Sequence, residues 1–369
     1  MLVLGVIWIG NMGFCGADMD TYLPMFGNYN FQNPFFYKKA EFSVGIIASL
    51  IKVFDPSLQP KEVATYYRLL IFVLVPAGLI ISSPTSRCAL VRFCSLISFV
   101  AITPFAFLSS ANMINNGLSI TLFYYLLLFG ITRRVFSMSK KPKLFSGFFE
   151  FLLIFFAAFA HPFGLGLVIL SLLVFLLFYF LKAFRLLDYF SDSQTLPLGY
   201  LLVLAFPALF LSSIAANRLT SQLPDGSVFY SSLALFVSVF VLWLSSKSFI
   251  MCFSSADEFN DSGMSFLIPL IWLLSFLSFF SVGLGFLSGT DSAERFVGCF
   301  LAYNTLLSLL FLQLCGFKRT SSRPEFYMFS NRRQFYYLSV VYFFMLSQNF
   351  YFFYSNAFYA NTSLNGICL

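Results

Sequence analysis

The sequence predicts an all-α, polytopic integral membrane protein with about eleven transmembrane helices and one interfacial amphipathic helix. Two observations carry that expectation. Hydrophobic residues make up 59% of the chain and charged ones only 10%, against roughly 25% charged in a soluble domain. Too few polar side chains remain to build a wetted surface. The apolar residues also come in runs of bilayer-crossing length, separated by short basic clusters, and helices that face lipid can be apolar all round. No polar stretch is long enough to be a soluble domain, so residues 1–369 read as a single transmembrane domain.

The first apolar stretch, 1–15, is short and lacks a basic leader, so it reads as a marginal span and not as a cleaved signal peptide. The stronger spans are 63–83, 88–108, 117–132, 144–160, 163–181, 196–215, 229–246, 264–287, 297–316 and 335–353. Turn chemistry separates them at Ser82-Ser83-Pro84, Lys141-Pro142, His161-Pro162-Phe163-Gly164 and Pro224-Asp225-Gly226. Residues 41–54 are apolar over too short a length and carry Lys52.

Whether 41–54 crosses decides the side of every later loop. Laid in the interface, it leaves fifteen basic residues inside: Arg87, Arg92, Arg133, Arg134, Lys140, Lys141, Lys143, Lys182, Arg185, Lys247, Lys318, Arg319, Arg323, Arg332 and Arg333. Seven of the 22 remain outside: Lys38, Lys39, Lys52, Lys61, Arg68, Arg218 and Arg295. Letting it span would turn the two densest clusters outward. The positive-inside rule therefore selects an interfacial helix within an outer loop of 16–62, with the N-terminus in and the C-terminus out.

That topology sorts the chemistry. The net charge of +7 lies in loop clusters and sets orientation, so it does not argue for nucleic acid. One histidine and seven cysteines without CxxC spacing cannot assemble a usual zinc site, and no phosphate-binding loop is present. The inner loops hold mainly basic residues. The outer side holds Asp18, Asp20 and Tyr22 in the first loop, then Asn112 and Asn115, then His161, Arg218 and Arg295.

Each of these has two readings. Asp18-Met19-Asp20 is either an acidic pair of the kind some glycosyltransferases use or a solvated loop. His161 is either a proton acceptor or a polar turn residue. The three arginines are either interfacial anchors or, on the side depleted of cations, ligands for a polyanion through their planar forks.

Four pieces in the first 170 residues resemble the bacterial Wzy/EpsG-like surface-polysaccharide (O-antigen) polymerases. They are Gly16-Ala17-Asp18-Met19-Asp20-Thr21-Tyr22 after a short first span, Lys39-Ala40-Glu41-Phe42 opening a weak helix, Asn112-Met113-Ile114-Asn115-Asn116 opening a span, and an apolar run ending at His161. Asn115 and Asn116 stand where the family carries Arg-Gln, which leaves amide donors to meet substrate there.

The resemblance implies a GT-C-like enzyme of the inner membrane that joins undecaprenyl-diphosphate-linked oligosaccharide repeats at the periplasmic face. It implies no cofactor and no metal, with membrane lipid and a chain-length regulator as partners. Asp18, Asp20 and His161 would be catalytic, and Tyr22, Arg68, Asn112, Asn115, Arg218 and Arg295 would bind substrate. The alternatives are a flippase for the same lipid-linked oligosaccharide and a GT-C transferase using a polyprenyl-phosphate sugar. A transporter tends to carry internal repeats and midplane charges. Here no repeat is visible and charges lie at span ends, Glu150 excepted, which favours an enzyme.

Overall fold

The computed structural model describes residues 19–28, 42–82, 118–119, 121–123, 144–184, 198–219, 226–254, 261–288, 293, 296–301, 303–304, 307–308 and 347. Among them every regular element is helical and no strand occurs. In chain order the helices are α1 (Met19–Asn28), α2 (Phe42–Phe54), α3 (Pro60–Ser82) and α4 (Leu144–Ala158), followed by α5 (Pro162–Ala183), α6 (Leu198–Leu219), α7 (Gly226–Ser254) and α8 (Asp261–Leu287). Further helical residues lie between 296 and 308.

Three of these helices are long and apolar enough to cross a membrane: Pro162–Leu181, Val228–Ser246 and Leu267–Leu287. They coincide with the expected spans 163–181, 229–246 and 264–287. Helices α3, α4 and α6 cover the expected spans 63–83, 144–160 and 196–215. The expected spans 1–15, 88–108 and 335–353 lie outside the described residues, Ser347 apart, so the described residues support a polytopic helical protein without fixing the number of crossings. α2 has 13 residues, about 20 Å of helix against a hydrocarbon core of about 30 Å. It is too short to cross.

α8 is the hub. Of its apolar window 83% is buried, against 22% for α5, and it packs on both α6 and α7. The outer helices turn Leu172, Leu173, Leu176 and Phe180 of α5 and Phe206 and Phe210 of α6 outward. In water those faces would be an aggregation hazard; in lipid they cost nothing.

Lipid also removes the hydrophobic drive between helices, so close approach of small residues has to hold them together. The buried serines serve that end. Ser212, Ser232, Ser238 and Ser281 each donate to a carbonyl three or four residues back in their own helix, which satisfies the hydroxyl without reaching a neighbour. Glycines then sit directly on them: a Cβ on Gly283 would overlap Ser212, and one on Gly285 would overlap Ser232.

Gly164 is tighter still, because a Cβ there would meet the Ala157 backbone carbonyl as well as Ser119 Oγ. Gly164→Ala is expected to destabilise the protein by about 1–3 kcal/mol, read as a lower melting temperature in detergent. Gly166→Ala is the control, since nothing lies within 4 Å of its added Cβ. There the helix preference for Ala over Gly should leave stability unchanged or raised by up to about 1 kcal/mol. Equal effects at the two positions would remove the close-packing account.

Candidate functional site

The site is built around the turn between α4 and α5. Pro162 opens α5 at the position where a missing N–H costs nothing, and His161 is the residue before it. The Phe163 N–H donates to His161 Nδ1 at 3.1 Å, while the Gly164 and Leu165 N–H groups donate to the His161 carbonyl. His161 is therefore the N-cap of α5, with an imidazole nitrogen in the role usually taken by a Ser or Asp oxygen.

That hydrogen bond sets the ring's chemistry. A neutral imidazole whose Nδ1 accepts carries its proton on Nε2, so the ring is a donor at Nε2. Taking up a proton would release the Phe163 N–H and put a cation at the positive end of a helix.

Three other elements fasten to the same turn. The Ser43 N–H of α2 donates to Phe159 O at 3.0 Å, which satisfies one of the orphan donors at that helix start. Phe42 packs edge-on to Phe155. Ser119 Oγ donates to Ala157 O at 3.0 Å, bringing in the segment that follows Asn112 and Asn115. Ala160 shares one apolar cluster with Met25 and Phe26 of α1, Val44 and Ala48 of α2, Tyr67 and Ile71 of α3, and Leu118.

α1 lies within the stretch 16–62 expected as outer loop. Among its described side chains Leu23, Met25 and Phe26 bind it to the cluster, and its stability comes from that packing. Its consequence is that Asp20 and Tyr22 stand on a helix. Pro24 lies inside α1 and removes the N–H that would have bonded the Asp20 carbonyl. At the far end, Lys52 Nζ of α2 donates to Gly27 O at 2.6 Å, closing the last turn as a cation at a helix C-terminus should. Burial holds the Lys52 ammonium below its ordinary pKa.

The α2–α3 turn is pinned from within. Ser57 donates to Asp55 Oδ1 through its hydroxyl and its N–H, and both bonds hold the Asp55 carboxyl below the usual carboxylate range. The Gln59 N–H donates to Glu62 Oε2 at 2.7 Å, half of a capping box around Pro60. α3 thus starts at a defined point, and two turns later it carries Arg68. That residue is only 1% exposed, and its chain neighbour Tyr67 packs on Phe26 of α1. Arg68 is buried and does not sit on an open outer surface.

The remaining arginines belong to the other half of the bundle. α6 continues to Leu219, so Arg218 lies in its last turn and not in a free loop. Ala216, two residues earlier, clusters with Val228, Leu284 and Ala293, and Phe296 packs against them. Phe296 also meets Phe163 edge-on at 4.9 Å. Hence the His161 turn, the end of α6, the start of α7, the end of α8, Ala293 and Phe296 share one end of the bundle. No family model matches the chain, and no curated protein or solved structure matches it either. The functional reading rests on this end of the bundle and its residues. Asp18, Asn112, Asn115 and Arg295 lie outside the described residues, as do the side chains of Asp20, Tyr22 and Arg218.

Proposed function

We propose that this protein is a membrane glycosyltransferase that polymerises undecaprenyl-diphosphate-linked oligosaccharide repeats at the periplasmic face of a bacterial inner membrane. One observation carries the reading. The segments bearing Asp20 and Tyr22, Arg68, His161 and Arg218 converge, through Ala160, Phe163 and Phe296, on one end of an otherwise apolar bundle.

The chemistry assigns each group a task. An acceptor-sugar hydroxyl oxygen forms a bond to the anomeric carbon of the donor repeat as the bond from that carbon to the diphosphate oxygen breaks. The hydroxyl proton passes to the Asp18/Asp20 pair, and undecaprenyl diphosphate leaves with the bonding electrons. Arg218 and Arg295 stabilise the charge that develops on it, and Tyr22, Asn112 and Asn115 hold the sugars. His161 serves as a fixed neutral donor to a substrate oxygen, a task that a histidine at a helix N-terminus suits. The chain's own cations supply the countercharge, so the reaction as written requires no metal or cofactor.

The direct test gives purified protein one lipid-linked repeat, without nucleotide sugars, and looks for longer lipid-linked chains. Movement of the substrate between leaflets with no new bond would make it a transporter. Extension only on addition of a polyprenyl-phosphate sugar would make it a single-sugar transferase.

The sidedness has its own test. In a cysteine-free background, a thiol at the exposed residue Gln59 should react with a membrane-impermeant reagent in intact cells, and one at Lys141 should not. Labelling at Lys141 alone would invert the orientation and end the periplasmic reading.

A further inference from the structure

Midway along the bundle, far from the His161 end, lies a polar knot that the proposed chemistry does not use. Asn304 is fully buried. Its Nδ2 donates to Ser238 Oγ of α7 at 2.8 Å and to Ser278 Oγ of α8 at 3.0 Å. Both hydroxyls spend their own protons on the helix carbonyls of Leu235 and Leu274. Among the described residues Asn304 Oδ1 has no hydrogen-bond partner, and neither do Ser308 Oγ and Ser275 Oγ. All three residues are 0% exposed.

The helix register brings these orphans to one level. α8 and the 296–308 residues run antiparallel, since Gly285 lies against Val297 and Ser278 bonds Asn304. One turn from Ser278 toward the start of α8 is Ser275, and one turn on from Asn304 is Ser308. Each step moves in the same direction along the bundle, so Ser275 and Ser308 both lie about one helical turn from the Asn304–Ser278 contact, on the same side of it.

We propose that a water molecule is a structural ligand of this seam, held by Asn304, Ser275 and Ser308. A buried amide oxygen without a donor is costly, and a water with two to four polar partners is the ordinary remedy. Charge decides against a cation. α6 and α7 contain no acidic residue, and the only acidic residue of α8 is Asp261, fourteen positions from Ser275 and thus about 21 Å away along the helix. A bare cation there would have no countercharge, which is prohibitive in an apolar interior. Turning the Asn304 amide over does not change the conclusion. Either end of the amide leaves a polar atom facing the two hydroxyls, and water can donate or accept. The water would tie α7, α8 and the 296–308 residues together where lipid offers no other polar partner.

The test uses the full-length protein in nanodiscs. A map at a resolution that shows ordered solvent should hold one peak about 2.7–3.2 Å from the Asn304 amide and from both hydroxyls. Ser275→Ala and Ser308→Ala should each lower the melting temperature, and the double variant should fall by clearly less than both together, because one ligand is lost in each case. Replacing sodium by choline should leave every melting temperature unchanged. A direct Ser308–Asn304 hydrogen bond with no peak, or fully additive variants, would overturn the water. Stabilisation that depends on sodium would overturn it in favour of a cation.

Discussion

Replacing His161 with Asn should leave a folded, inserted protein that extends lipid-linked repeats about 10²–10³-fold more slowly. Asn is the informative choice because its short carbonyl is among the best N-caps. It can take over the Phe163 N–H that His161 Nδ1 now receives. The turn then keeps its docking on α2 and its contact with Phe296, and only the imidazole Nε2 donor is lost. His161→Ala removes cap and donor together and should add a stability loss of about 0.5–2 kcal/mol. Gln is longer and a poorer cap, so it would mix folding with chemistry. The readouts are melting temperature and initial rate of chain extension for the purified variants. If His161→Asn extends repeats at the normal rate, His161 is a helix cap and nothing more.

The physics of each element decides how much of it shows in the sequence. α5 and α8 were expected nearly at their observed limits because uninterrupted apolar runs mark where lipid lies. The same rule misjudges helices whose ends leave the membrane. α7 was expected over 229–246 and runs Gly226–Ser254, since hydropathy reports the solvent and not the backbone. α6 outlasts its apolar run by four residues, which moves Arg218 from loop to helix. α1 was missed because its stability is tertiary.

The candidate site divides in the same way. The loops alone imply a side for each charged residue, and the described residues bring the His161 turn and the end of α6 to one end of the bundle. The His161 cap is local, made with Phe163, Gly164 and Leu165, but a histidine nitrogen in a role usually held by a Ser or Asp oxygen is easily passed over. The burial of Arg68 is tertiary, and no local pattern encodes it. Asn304 lies within the expected span 297–316, and nothing local marks it or its partners Ser238 and Ser278, because serines occur throughout these helices.

Arg218→Ala and Arg295→Ala should each slow chain extension by about 10–150-fold, the equivalent of a lost charge-assisted hydrogen bond worth about 1.5–3 kcal/mol in the transition state. Arg→Lys at either position keeps the charge but loses the planar fork, so it should recover only part of the rate. If both arginines hold one diphosphate, the double variant should fall short of the product of the two single effects. Arg68 provides the contrast. Buried on α3, it should behave as a packing residue, and truncation to Ala should cost about 2–5 kcal/mol of stability. The signature is a lower melting temperature and less inserted protein, with normal extension per folded molecule. Rates and melting temperatures of the three alanine variants, normalised to inserted protein, separate the two roles. Full polymer from Arg218→Ala and Arg295→Ala at normal abundance would leave the departing diphosphate without its proposed cations. A pure rate defect at Arg68 would instead mean that α1 and α3 part to admit it.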